Sequence, residues 1–162
     1  MSSFSAVQAP THADLSAPSS DGVTIDQEWF PAVDVAHVRK AVYLKGSVTD
    51  ERLVAALVRS IDEVNRALSA WQAPFVAAGV VSLAEVPAPK IGGESVHLSR
   101  YRDAVYYLAR ADLIEQYKDF DSSPDGVKDA DALDETVCSD RRIARNALND
   151  IRGTARMAVE LV

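Results

Sequence analysis

Leu53, Leu57, Ile61, Val64, Leu68 and Trp71 recur at steps of three and four residues, and no other feature of the chain restricts its fold so strongly. That spacing puts six large apolar side chains on one face of a helix of about five turns. Thr49 precedes it as an N-cap, and Asp50 and Glu51 follow where negative charge favours the start of a helix. Pro74 is expected to break or kink the helix near Gln72, with "FVAAG" adding one more turn before Gly79 stops it. A helix with one apolar stripe must bury it against something. No convincing strand is legible, so the partners are expected to be helices.

Three further segments fit. Asp34 caps a short helix from Val35 to about Leu44, with Val35, Val38 and Val42 inward and Gly46-Ser47 at its end. A third helix follows Ser95 and runs to about Phe120. It is apolar on two sides: Tyr101, Val105 and Leu108 mark one, and Tyr106, Leu113, Tyr117 and Phe120 the other. Such a helix sits between two partners. The last helix runs from near Ala132 to near Arg152, with Leu133, Val137, Ala144, Leu148 and Ile151 inward and Gly153 as its stop. The connection "VVSLAEVPAPKIGGES" is rich in proline and glycine, with one short turn expected over residues 82–85. The fold class is all-α, a small bundle of about four helices.

Both ends depart from that pattern. Met1 to about Gly22 is rich in Ser, Ala and Pro without apolar periodicity, and residues 23–34 read as an extended lead-in anchored by Trp29 and Phe30. At the other end, Gly153 is followed by Met157-Ala158-Val159 and Leu161-Val162. The expected organisation is an extended N-terminal arm over 1–28, a helical domain over 29–153 and an extended C-terminal docking arm over 154–162. The apolar C-terminal segment has to be covered, either by its own bundle or by another chain.

The chain has 162 residues, enough for one domain with a modest core, and a formal net charge of −7. That sign argues against wrapping nucleic acid through its phosphates, yet it suits a surface that DNA passes without sticking. Cys138 is the single cysteine, which excludes an intrachain disulfide and a multi-cysteine metal cluster; it is expected to be a half-buried thiol. No stretch approaches the length of a membrane span. The N-terminus lacks a basic segment followed by an apolar core, so secretion is not expected.

Reactive constellations are weak. Residues 121–132 imitate a calcium loop, with acceptors at Asp121, Ser123, Asp125, Asp129 and Asp131 and with Gly126 in sixth place. The twelfth place, however, is Ala132, where a bidentate carboxylate is required. A calcium- or metal-binding helical module is therefore the alternative reading rather than the leading one. His12, His37 and His97 lack metal-site spacing, and His37 and His97 are expected to face solvent or cap helices. "IGGES" has no lysine where a phosphate loop needs one. A hydrolase using aspartates and His97 would need a bound metal. No enzyme, cofactor or metal site is expected.

Arg141, Arg142, Arg145, Arg152 and Arg156 give the last helix and arm a basic surface, against an acidic stretch from Asp112 to Asp140. A surface divided by sign in this way suits either plain solvation or head-to-tail docking of identical subunits. Arg141, Arg142, Arg145 and Arg152 are the expected inter-subunit charge surface.

Several short features, in order, resemble one known family. They are Phe30-Pro31 before a helix with Val38-Arg39, "AAG" at residues 77–79, "LAEVP" at 83–87 and "GES" at 93–95. Tyr101 with Ala104-Val105, Tyr117, and "IRG" before an arm with Arg156 and Val159 complete the series. Together they resemble the head completion proteins of temperate, contractile-tailed bacteriophages, over about four-fifths of the chain. The part through Gln27 carries no such likeness.

The resemblance implies a structural virion protein of the neck, made in the host cytoplasm. It implies a ring of identical subunits, dodecameric in register with the portal protein, that stabilises the filled head and offers a surface to the tail terminator or other neck proteins. DNA would pass through the channel without specific binding, and no membrane is involved. Arg156, Met157, Val159, Leu161 and Val162 would then be the residues that bind portal or a neighbouring subunit.

Overall fold

The computed structural model describes residues 22–44, 48–118 and 126–154. Four helices make the body: α1 (Val35–Ala41), α2 (Asp50–Ala77), α3 (Val96–Lys118) and α4 (Gly126–Arg152). Two antiparallel pairs of two-residue strands accompany them, β1 (Thr24–Ile25) with β2 (Val33–Asp34), and β3 (Lys90–Ile91) with β4 (Glu94–Ser95). The expected all-α bundle is what forms.

The stripe on α2 is its buried face. Leu53, Leu57, Val64 and Leu68 are fully buried and Ile61 nearly so, each contributing about 1.5–3 kcal/mol by leaving water. They meet α3, which carries Tyr101, Val105, Tyr106, Ala109 and Leu113 into the same core. Its opposite side packs along α4, through Val137, Ala144, Ala147 and Ile151. Both partners that the two apolar sides of α3 require are thus in its own chain. Leu133 and Leu148 are only half-buried.

Several expectations need correction. Pro74 neither breaks nor stops α2, which continues to Ala77. A proline withholds its own N–H and crowds the carbonyl four residues back, but only one turn remains beyond it, so little is forfeited. Three carbonyls, those of Pro74, Phe75 and Val76, then receive N–H groups from Ala78 and Gly79. α1 ends at Ala41, earlier than Leu44, because Val42 turns extended (φ −114°, ψ 120°). Gly46 and Ser47, named as its terminators, lie outside the described residues.

α4 starts at Gly126, six residues before the expected Ala132. The backbone from Gly126 to Ala132 is helical, so the second half of the calcium-like loop is not a loop. Cys138 is exposed rather than half-buried. The connection after α2 contains its expected turn, a 3-10 turn at Leu83–Glu85. "IGGES" proves to be a tight hairpin: Gly92 (φ 60°) and Gly93 (φ 85°) take the two left-handed positions that a two-residue hairpin demands.

The lead-in also carries more structure than extended chain. β1–β2 closes a small hairpin, and the segment between them crosses the end of the bundle. Trp29 Nε1 donates to the Val80 carbonyl at 3.0 Å, and Leu83 N–H donates to the Trp29 carbonyl at 3.0 Å. Phe30 is buried and stacks on Tyr101 at 4.9 Å between ring centroids. Trp29 meets Trp71 edge to face, which ties the lead-in to the last residue of the apolar stripe on α2.

Candidate docking surface

The end of α4 is sharply defined. Ile151 is buried, Gly153 takes φ 70°, and Thr154 N–H donates to the Asn149 carbonyl at 3.0 Å. That bond and the left-handed glycine form a Schellman stop, which caps an otherwise orphaned carbonyl. Arg152 donates to the Ala67 carbonyl of α2, and Arg100 Nη1 donates to the Asp150 carbonyl at 3.2 Å. The exit of the chain is thereby pinned against α2 on one side and α3 on the other. Arg156, Met157, Val159, Leu161 and Val162, the expected arm residues, lie outside the described residues.

The basic residues of α4 separate into two kinds. Arg141 reaches Glu115 of α3 at 2.6 Å, and Arg152 is spent on α2 as just described. Arg142 and Arg145 are exposed on the outer side of α4. The acidic stretch is partly engaged inside the subunit too: Asp112 takes Arg59 of α2 at 2.5 Å, and Asp140 lies 3.4 Å from Arg110. Of the expected inter-subunit charge surface, only Arg142 and Arg145 are therefore presented outward without a described partner in the chain.

The Arg110–Asp140 pair was not legible in the sequence, and it sits deep between α3 and α4. The Asp140 side chain is 4 % exposed and that of Arg110 23 %. Burial pushes the Asp140 carboxyl above the usual carboxylate range, with Arg110 pulling it back. Neither Arg110 Nε nor Asp140 Oδ2 makes a hydrogen bond of normal length. The pair is a point of register between the helices rather than a reactive centre.

The two described histidines are placed differently from one another. His97 is buried beneath Trp71, edge to face at 5.4 Å, and burial with the nearby Arg100 charge lowers its pKa below the ordinary 6.5. His37 faces α3, with Nδ1 3.0 Å from the Tyr106 hydroxyl. His97 thus departs from the expected solvent-facing or capping place, whereas His37 is exposed as expected. Among the described residues no group of three His, Cys, Asp or Glu side chains could hold a metal ion, and no helix is long and apolar enough to cross a membrane.

What the geometry offers is thus a helical body whose last helix is stopped at Gly153 and pinned to α2 and α3. The model of the phage head completion protein (GPL) family matches residues 24–162. The chain is 35% identical over 146 residues, 90% of this chain and 86% of the relative, to the head completion/stabilization protein of Escherichia phage P2. No solved structure matches the chain. The match begins at Thr24, the first residue of β1, and runs to Val162.

Proposed function

The chain belongs to the phage head completion protein (GPL) family, and from that premise we propose that it is a connector subunit forming a ring beneath the portal. It is a structural virion protein and not an enzyme, as its family is. In the proposed reading, subunits bind the portal protein after DNA is packaged, stabilise the filled head and present a surface to the tail terminator or other neck proteins. The ring is dodecameric, in register with the portal. The subunit occupies the neck of the virion and is found in the host cytoplasm before assembly.

One observation carries the reading: the last helix stops at Gly153, pinned to α2 and α3, and the sequence beyond it, which the family match covers to Val162, is rich in apolar side chains. The two sides of α3, which could have called for outside partners, are filled from within. In this reading the apolar residues of 155–162 find their partner on a neighbouring chain. Burying four or five such side chains contributes about 1.5–3 kcal/mol each before ordering costs, and a ring repeats the gain through avidity. The net charge of −7 further supports a channel through which DNA slides without being held.

The test is a deletion of residues 154–162, assayed by mass photometry with purified portal. The shortened chain should remain a folded helical monomer and lose portal binding. Normal binding by the shortened chain would defeat the assignment of the arm.

A further inference from the structure

Val137, Asp140, Ala144, Ala147 and Ile151 of α4 are buried at steps of three and four, so they form its inner face. Arg142 and Arg145 fall on the opposite side, exposed and one helical turn apart. Among the described residues neither has an ion-pair partner. We infer that these two guanidinium groups dock on the acidic lead-in of a second copy, at Asp26, Glu28 and Asp34. The inference rests on the reading of the subunit as a member of a ring, and it names one contact between neighbours.

Charge supports the match. Residues 22–36 contain these three carboxylates and no Lys or Arg, and all three are exposed. Gln27 turns inward to Asn65 and Tyr101, which leaves Asp26 and Glu28 to solvent without a partner among the described residues. Asp34 pairs with Thr24 across the hairpin, so it lies on the same outer edge as Asp26, two residues along. Its Oδ1 accepts the Ala36 and His37 N–H groups, which are neutral and leave the negative charge in place. The next cation along the chain, Arg39, is taken by Asp50. On α2, in contrast, Asp62 is held by Arg66, and Glu63 stands between Arg59 and Arg66 at helical spacing. The lead-in is thus a run of negative charge without cations of its own.

Geometry places the two faces on different chains. The lead-in lies on α2 and α3, where Gln27 meets Asn65 and Tyr101 and Trp29 meets Trp71. α4 packs along the opposite side of α3 and turns its two free arginines away from it. A helix with its side chains is about 10–12 Å across, and both α3 and α4 intervene. Arg142 and Arg145 therefore do not meet the lead-in of their own chain. Faces of opposite sign on opposite sides of one body join head to tail, a heterologous contact that repeats around a closed ring. DNA suits the pair less well. A phosphate tract is held by many cations, whereas here two arginines stand on a chain of net charge −7.

Charge reversal in the full chain tests the contact, read by mass photometry with purified portal. One variant carries Arg142→Glu and Arg145→Glu, and a second carries Asp26→Lys and Glu28→Lys. All four side chains are exposed, so helix content by circular dichroism should match the parent chain. Each variant alone should assemble on the portal about tenfold more weakly or worse, since like charges then meet at every contact. An equal mixture should recover assembly, because each acidic face then meets a basic face of the other variant. Recovery of that kind is not produced if the arginines touch DNA or the portal instead.

A mixture as weak as its components would overturn the proposal. So would an arginine variant that assembles like the parent chain, and in that case the ring stands while this contact is wrong. If that variant assembles normally but no longer retains a short DNA duplex that the parent binds, the pair serves phosphates. If the parent chain forms no ring on the portal, the ring reading falls and the contact falls with it.

Discussion

The Tyr101 hydroxyl lies 2.9 Å from Gln27 Oε1, across 74 positions of sequence, and joins the N-terminal lead-in to the second turn of α3. Asn65 of α2 completes the triangle, its Oδ1 2.7 Å from the hydroxyl and its Nδ2 donating to Gln27 Oε1 at 2.8 Å. Tyr101 is fully buried, and burial raises its phenol well above the usual range despite the two amide partners. Three elements share one satisfied polar cluster inside an otherwise apolar core, which fixes how the lead-in lies on the helices.

Replacing Tyr101 by Phe keeps the ring stack on Phe30 and takes the hydroxyl away from Asn65 Oδ1, while Gln27 Oε1 keeps the N–H of Asn65. The expected cost is about 1–3 kcal/mol, read from the urea midpoint at unchanged slope. An unchanged midpoint would mean that the cluster contributes nothing to the fold.

Pro74 supplies a test of opposite sign. With α2 continuing through it, Pro74→Ala restores one backbone donor toward Ala70 and relieves ring crowding. Thermal unfolding should move upward, by about 1 kcal/mol in stability or less so near a helix end. A lower Tm would show that the proline is needed for the turn into Gly79.

How far the fold was readable follows from range. The stripe on α2, its Thr49 cap and the Gly79 and Gly153 stops are local patterns, and each lies where it was read. The hairpin at Gly92-Gly93 was missed because its strands are two residues long, too short for alternation to register. The early start of α4 was hidden by Asp and Ser, which serve loops and helix starts alike. The Arg110–Asp140 pair and the Gln27–Asn65–Tyr101 cluster join residues far apart in the chain, which periodicity does not address. The arm residues, in contrast, stood out from composition alone.

Arg110 and Asp140 should behave as a coupled pair. Arg110→Leu leaves the Asp140 carboxylate buried without its cation and should cost about 2 kcal/mol or more. Adding Asp140→Leu should recover part of that loss, since the stranded charge is gone. A double-mutant cycle by chemical denaturation measures this, and strict additivity would show that the two side chains do not interact.

His97 gives the fold a pH dependence of known sign. Its folded pKa is lowered by burial and by Arg100, so the folded chain favours neutral imidazole. Stability is complete above the ordinary value of 6.5 and is lost as pH falls through it toward the folded value. Asp103 and Asp140 are raised by burial, so their effect opposes it, with the penalty growing as pH rises from 3.8. Comparing the native chain with His97→Phe cancels the carboxylates. The variant should lose less stability between about pH 7 and pH 5, and parallel profiles would contradict this assignment.

The arm is the centre of the account, and amide hydrogen exchange over residues 155–162 tests it most directly. Measured in the isolated subunit and again in the assembled, DNA-filled head, these amides should exchange freely in the first and be protected in the second. Equal, strong protection in the isolated monomer would mean that the segment is buried by its own bundle, and no docking arm would remain.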